Sequence, residues 1–403
     1  MLPELSQGCQ EDRGTVTVSA SAETPPAAAR HVRCAVERAW CYLNRAMDDG
    51  APSAQLSLDV SFSRSFSGAR ARAVLREHLG ADPGFDLADE AFTAMVALML
   101  LPPAATAEEK SLALRLGRQI EAARWQRRYR FFLGANGFPA DTDCTGLAVG
   151  ALYEHGLLTP ADLTAHVADL LHAAAPADSV PRPYGDDDAL RARVFMVYWE
   201  DGLEPHALRR GRKHDPVACA NALYTAQLSD LHAASESAAA VVSTSTRYLA
   251  EHLESGRYLD GTRYYPSPDA FLYALSRLCA RFPSSAQVYS APLRRALQEH
   301  EEANSSPRNG GEPGPLALAF RTLAADNLGL TAGQDQRHAL LAQTQQSDGS
   351  WPASPYYRMG RFPVYFGSPY LTTAFALAAL RTRQTLEAAA PHSFSGRTAA
   401  PTG

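Results

Sequence analysis

The chain has 403 residues, room for two or three average domains or one large one, and 46% of them are hydrophobic, enough to bury a large core. Charged residues make up 20% and the formal net charge is −5, with no strongly basic face, so nucleic acid is not an expected partner. No apolar run reaches the length of a membrane span.

Residues 1–28 read as a disordered tail rich in Ala, Ser, Thr and Pro. They lack the basic stretch and apolar run of a signal peptide. Helical periodicity begins over 29–47, where Val32, Val36, Ala39, Trp40 and Leu43 fall on one face. Further helices are expected near 68–79, 87–101, 106–124, 143–156, 160–174, 215–230 and 235–254. The series continues near 268–281, 288–303, 315–328, 333–346 and 368–385. Strand patterns are scarce: Val194–Tyr198 is the single short candidate, and it fits a helix equally. Gly and Pro cluster between the helices. Proline-rich loops at 102–104, 176–184 and 352–369 are long enough to fold over a cavity mouth. Residues 387–403 read as a second disordered tail, which leaves 29–386 as one domain. The six cysteines (Cys9, Cys34, Cys41, Cys144, Cys219, Cys279) have no paired spacing, so reduced thiols in a cytoplasm are expected.

The stretch Pro139-Ala140-Asp141-Thr142-Asp143-Cys144-Thr145-Gly146 sets two acids one residue apart where an apolar helix begins. Asp141 suits the N-cap of that helix, and capping alone accounts for one aspartate but not for Asp143. The stretch resembles the protonating motif of the class II terpene cyclases, the squalene-hopene and oxidosqualene cyclase superfamily. It joins the outer Asp of the bacterial D-x-D-D-T form to the Asp-Cys-Thr of the oxidosqualene form. Gln346-Ser347-Asp348-Gly349-Ser350-Trp351 matches the Q-G-W repeat of that superfamily. Asp215-Pro216-Val217-Ala218-Cys219-Ala220-Asn221-Ala222-Leu223 is similar to the S-x-S-x-N-A-x-V-L helix of diterpene cyclases. Tyr264-Tyr265-Pro266-Ser267-Pro268 sits where those proteins carry an aromatic turn, and Gly367–Ala374 resembles the closing helix of short bacterial relatives.

The resemblance implies an all-α fold, an α/α toroid of six inner and six outer helices, with a cavity at one end. The helical pattern by itself leaves an open solenoid as the alternative. The chain has no room for the second barrel of larger relatives. The resemblance also implies that Asp143 is a Brønsted acid starting a carbocation cascade, in an isomerase or lyase acting on a small isoprenoid-like substrate, free or on an aromatic ring, with or without an epoxide. Asp141 would share or tune its proton, Cys144 would give it a weak S–H bond, and Thr145 completes the motif. Replacing the last Asp of D-x-D-D by Cys144 tilts the expectation toward an epoxide or another activated group.

A carbocation needs aromatic walls, each worth roughly 0.5–2 kcal/mol. The candidates are Trp199, Tyr264, Tyr265, Tyr356, Tyr357, Tyr365 and Phe366, with Phe131 and Phe132 behind them. Trp351 is expected to pack at a helix end. Asn221 would face the cavity or hold a structural hydrogen bond; His214 precedes its helix. No metal site and no cofactor are expected: the spacing of Asp143 and Cys144 does not suit the zinc of the protein prenyltransferases, and magnesium would enter only with a diphosphate substrate. Asp186-Asp187-Asp188 reads as a solvated or capping turn, and Arg209, Arg210, Arg212 and Lys213 as a solvated basic loop, with holding a substrate diphosphate as the alternative. Some superfamily members sit on a membrane through an apolar plateau. No plateau is evident here, and peripheral contact through scattered leucines stays open. Two alternatives share the toroid: acid catalysis on a non-terpenoid metabolite, and a binding toroid without catalysis. A filled barrel would favour the latter, and charged groups around Asp143 the former.

Overall fold

A computed structural model describes residues 27–389 apart from 51, 86, 88, 104–105, 134–136, 180–189, 305–312 and 361. The expected tails lie outside the described residues, except 27–28 and 387–389, which belong to the terminal helices.

In chain order the first elements are α1 (Ala27–Asp48), β1 (Gln55–Ser57), β2 (Ser65–Ser67), α2 (Gly68–Leu79), α3 (Phe92–Leu100) and α4 (Ala107–Ala122). A tight hairpin, β3 (Arg124–Trp125) and β4 (Arg128–Tyr129), leads to α5 (Thr142–Glu154), α6 (Pro160–Leu171), α7 (Pro216–Leu228), α8 (Leu231–Ala234) and α9 (Glu236–Glu254). Then come α10 (Pro268–Arg281), α11 (Pro283–Asn304), α12 (Pro315–Asn327), α13 (Gln334–Gln343), β5 (Tyr357–Arg358), β6 (Tyr365–Gly367) and α14 (Pro369–Ala389).

The helices close a ring. α3 packs on α5, α5 on α7, α7 on α10, α10 on α12, α12 on α14, and α14 returns to α3. Outside them stand α1 against α14, α4 against α3, α6 against α5 and α7, α9 against α7, α11 against α10 and α12, and α13 against α12 and α14. The toroid expected from the resemblance is therefore present, and the open solenoid is excluded. Burial follows the two layers. Thr142–Leu152 of α5 and Pro216–Ala226 of α7 are buried on every side, as befits helices covered both by the outer layer and by the barrel interior. The outer α4 instead buries one stripe, Leu112, Ala113, Leu116, Gly117 and Ile120.

Local chemistry starts these helices where it should. Thr106 and Glu109 form a capping box on α4, and Thr159 and Asp162 do so on α6. Asp215 and Ser267 cap α7 and α10, each followed by a proline at the first helical position. The pattern over 87–101 begins as helix only at Phe92, because the Glu90 carboxylate accepts the Thr93 N–H at 2.8 Å and stops the chain there.

One feature of the fold runs against expectation. A four-stranded antiparallel sheet, ordered β2-β1-β6-β5, pairs Leu56 with Phe366 and Gln55 with Gly367. It joins the two ends of the described chain beside α14. Strands of two or three residues carry no measurable alternation, so the sequence pattern does not show them. Val194–Tyr198, the strand candidate, forms only single bridges, Phe195 to Ala174 and Tyr198 to Asp141. The loop at 352–369 folds over one end of the barrel through β5 and β6, where Arg358 N–H donates to the Tyr264 carbonyl at 2.7 Å. The loop at 102–104 does not: Pro102 follows the C-terminus of α3, at the other end. Trp351 packs as expected. It is fully buried, and its indole N–H donates to the Leu341 carbonyl at the end of α13 at 2.8 Å.

Candidate active site

Asp143 lies in the first turn of α5, which the Asp141 carboxylate caps by accepting the Cys144 N–H at 2.7 Å. Thr145 holds the preceding hairpin: its hydroxyl accepts the Tyr129 N–H at 2.9 Å. Thr142 is pinned to 194–198, donating its N–H to the Val197 carbonyl at 2.8 Å and its hydroxyl to Met196. The start of α5 is thus fixed from three sides, and Asp143 points into the ring.

Two side chains meet its carboxyl group. The Asn221 amide, from α7, donates to Oδ1 at 2.8 Å, and the Tyr265 hydroxyl donates to Oδ2 at 2.5 Å. Asn221 reaches because α5 and α7 touch closely: a Cβ on Gly146 would lie 2.8 Å from the Asn221 backbone carbonyl. Beyond it, Arg277 of α10 donates to the Asn221 side-chain oxygen Oδ1 at 3.1 Å. Asp143 is 4% exposed. Burial pushes its pKa up to about 8, and the field of Asp141 adds to the rise, while the bonds from Tyr265 and Asn221 pull the other way. Burial also lifts Asp141 to about 7, against the pull of the Cys144 N–H and thiol. Burial thus favours the protonated form of Asp143, while its two partners and the α5 N-terminus favour the carboxylate. The Cys144 thiol bonds Asp141 and not Asp143. That corrects the expected S–H bond, and it follows from Cys144 lying on the cap side of the first turn.

An aromatic shell surrounds this centre. Tyr265 meets Tyr356 and Tyr357 edge to face, at 5.3 and 5.8 Å between ring centroids. Tyr357 stacks on Tyr264 at 5.6 Å, and Phe131 lies 4.9 Å from Tyr357. Above them opens a pocket of about 410 Å³, walled by Tyr264, Tyr357, Phe366, Phe132, Phe138 and Tyr198. Arg210, Lys213 and Arg263 also line it, the first two over the rings of Phe138 and Tyr198 at 4.4 and 5.6 Å. Its one acidic wall residue among the described residues, Asp82, is held by Arg72 and Arg76. Asp143 does not line this pocket. Tyr357 lines the pocket and meets Tyr265, whose hydroxyl bonds Asp143 behind it.

Two expected wall residues stand elsewhere. Trp199 donates its indole N–H to the Asp169 carbonyl at 3.1 Å and stacks on Arg128, in a second hollow of about 210 Å³. Its alternation from Tyr198 turns it to the opposite face. Tyr365 is likewise turned from the pocket, because Phe366, its neighbour on β6, takes the inward position. His214 bonds only backbone, to Phe195 O and Arg191 N, and burial lowers its pKa to about 4. Asp186-Asp187-Asp188 lies outside the described residues. Among those residues no group of three His, Cys, Asp or Glu side chains converges on a common point, and no helix is long and apolar enough to cross a membrane. Sequence reasoning missed Tyr198, Phe138 and Arg277. A hint for Arg277 was its place on α10, beside Leu278 and one turn from Tyr273.

No family model matches the chain. Over 261 residues, 63% of this chain, it is 27% identical to a drimenol cyclase, drtB, from Aspergillus calidoustus, and the match spans only 41% of that protein. A type II terpene cyclase from Scytonema, MstE, solved as a variant with geranylgeranyl dihydroxybenzoate, its substrate, superposes with a TM-score of 0.56 at 12% identity. That alignment covers 88% of this chain and 97% of MstE. An ent-copalyl diphosphate synthase from Streptomyces platensis aligns at a TM-score of 0.50 and 15% identity, over 92% of this chain and 70% of that one. With its closed ring of paired helices and these similarities, the chain has the all-α toroid fold of the class II terpene cyclases.

Proposed function

We propose that the protein is a class II terpene cyclase, in which Asp143 protonates an isoprenoid or prenylated substrate and starts its cyclisation. The observation that carries this reading is a buried carboxyl group, neutral near pH 7, that receives two hydrogen bonds and lies beneath a shell of tyrosine and phenylalanine rings. In the first step the Asp143 O–H bond breaks and its proton goes to an alkene carbon or an epoxide oxygen. The alkene π pair forms the new C–H bond, or the epoxide C–O bond opens, and the next double bond attacks the cationic carbon. Rings of Tyr356, Tyr357, Tyr265 and Tyr264 stabilise the positive charge without trapping it. Asp143 is left as a carboxylate held by Asn221 and Tyr265.

The substrate is a prenyl chain with a polar end. Arg210, Lys213 and Arg263 on the pocket wall suit an anionic head group, a diphosphate or a carboxylate, which would stay at the mouth while the chain's far end reaches Asp143. MstE acts on a prenylated dihydroxybenzoate, and a second structural relative is a diphosphate synthase, so both head groups occur on this fold. The protein would work in the cytoplasm.

The experiment is an assay of purified protein against prenyl diphosphates, prenylated phenols and benzoates, and their terminal epoxides. Cyclised product from the wild type and none from Asp143→Asn supports the reading. A second reading keeps the fold without catalysis. The ring layer between the pocket and Asp143 favours it, because a ligand seated in the pocket does not touch the acid. Binding of such compounds with no turnover of any of them would decide for it.

A further inference from the structure

We infer that Arg277 is a positioning residue that fixes which end of the Asn221 amide faces the acid. The inference rests on Asp143 being the acid of the proposed reaction.

An asparagine amide offers an acceptor at one end and two donors at the other, and a neutral carboxyl group can pair with either. If the Asn221 oxygen faced Asp143, it would accept the acid's O–H and hold the proton in place. If the Asn221 nitrogen faces it, the amide donates to one carboxyl oxygen and leaves the proton on the other. Neither choice is dictated by Asp143 alone. Arg277 makes it. A guanidinium has only donors, and it sits 3.1 Å from Asn221 Oδ1, so the amide oxygen is committed to it and the nitrogen turns to Asp143 Oδ1. The proton of the neutral acid then sits on Oδ2 and is donated across the 2.5 Å contact to the Tyr265 oxygen at the edge of the ring layer; in the carboxylate form the Tyr265 hydroxyl donates in its place. Arg277 is itself held. Its guanidinium lies 4.5 Å from the ring centroid of Tyr224, one turn beyond Asn221 on α7, and the Tyr224 hydroxyl donates to Glu154 at 2.7 Å.

The chain Arg277–Asn221–Asp143 also brings in a positive charge. The other groups that face Asp143 are Asp141 and Cys144 at its own helix start, Asp215 at the start of α7, Tyr265 before α10 and Tyr356 in the covering loop; Glu90, at the start of α3, faces Cys144. All are acidic or neutral; the fields of Asp141 and Asp215 hold the proton on, and the Tyr265 bond opposes them. Arg277 polarises the amide in the opposite sense and favours the carboxylate formed by transfer.

The test is the titration of the Asp143 carboxyl carbon in protein labelled with 13C-aspartate, assigned by its loss in Asp143→Asn. Arg277→Gln should raise the midpoint by about one pH unit, as loss of a nearby cation does. Arg277→Met, which keeps the stem over Tyr224, should do the same, and Arg277→Lys should restore much of the wild-type midpoint. In the Asn221→Ala background, Arg277→Gln should add nothing. With a turned-over substrate, kcat should fall by about 10-fold or more with KM little changed, the scale seen when the partner that orients a reactive group is lost. The alkaline limb of the pH profile should move up with the midpoint. An unchanged midpoint in folded Arg277→Gln and Arg277→Met overturns the inference, as does a shift that persists without Asn221. If the wild type cyclises nothing while the midpoint still shifts, the proposed function fails and the amide assignment stands. If Asp143→Asn is inactive while the Arg277 variants leave the titration unmoved, the reverse holds.

Discussion

Asp143 is held between two demands. In the proposed reaction it must be protonated before it reacts and must leave a stable carboxylate afterwards. Burial beside Asp141 meets the first, and the bonds from Asn221 and Tyr265 meet the second. Asp143→Asn should therefore lower turnover by at least about 10³-fold, within the upper range of general-acid effects, in a protein that stays folded. The amide oxygen can still accept from Asn221 and the amide N–H can still donate to the Tyr265 oxygen. Asp141→Asn keeps a good cap but removes a negative field that helps hold the proton on Asp143. Its pH–rate profile should lose the alkaline side first, with the limb moved to lower pH and a strong loss of rate at neutral pH. Cys144→Ser should be milder, since a hydroxyl replaces the thiol bond to Asp141. A Cys144→Ser protein as inactive as Asp143→Asn would point instead to a thiol that reacts. The sequence pointed to the aspartates, Asn221, Tyr264, Tyr265 and Phe366 because each stands in or beside a motif, and to Tyr356 and Tyr357 as aromatics of the loop before α14. Trp199 and Tyr365 were not separable from their neighbours, because which face a residue takes in an irregular segment depends on contacts far along the chain.

The pairing of α5 with α7 is the element on which the site depends. Gly146 and Gly150 let the two helices touch, and the Thr225 hydroxyl donates to the Gly146 carbonyl at 2.6 Å across that contact. Gly146→Ala would drive a methyl group into the Asn221 backbone and push the helices apart. We expect a loss of about 1–3 kcal/mol in stability, the usual cost of overpacking, measured by denaturant unfolding. We also expect a fall in kcat larger than that of Gly314→Ala, where the backbone is at an ordinary φ and no heavy atom lies within 4 Å of the added Cβ. An equal effect at both positions would mean that helix contact does not set the site. Helix positions were readable from periodicity and caps. α11 still runs unbroken from Pro283 through Pro292, five residues earlier than the pattern suggests. The sheet of β1, β2, β5 and β6 was hidden because its pairing joins residues some 300 positions apart, and no local signal records such a partner.

At the scale of the whole molecule, the ring closes on two buried aspartates, and this has a consequence for stability. Asp141 and Asp143 have pKa values near 7 and 8 in the folded protein, against about 4 when unfolded. Their contribution is complete below about pH 4 and is lost as pH rises toward 8, because the unfolded chain ionises first. Tm should fall over that window, and Asp143→Asn should flatten the fall and raise Tm at pH 8 by several degrees, visible by calorimetry. A variant that melts as the wild type does at every pH would show that Asp143 is ionised in the fold. Treatment with a chelator should leave turnover of an uncharged substrate unchanged, and magnesium should aid only a diphosphate. The toroid itself was implied by the order of motifs, whereas its closure appears only where α14 meets α3, a contact that no periodicity encodes. The central claim is that a protonated Asp143 starts an isoprenoid cyclisation, and the most direct measurement is product analysis in deuterium oxide with prenyl diphosphates, prenylated phenols and their epoxides. Cyclic product carrying one deuterium at the protonated carbon (on oxygen and exchangeable for an epoxide), made by the wild type and absent with Asp143→Asn, is the predicted result. Cyclic product formed equally well by folded Asp143→Asn, or no product from any of these substrates, would contradict it.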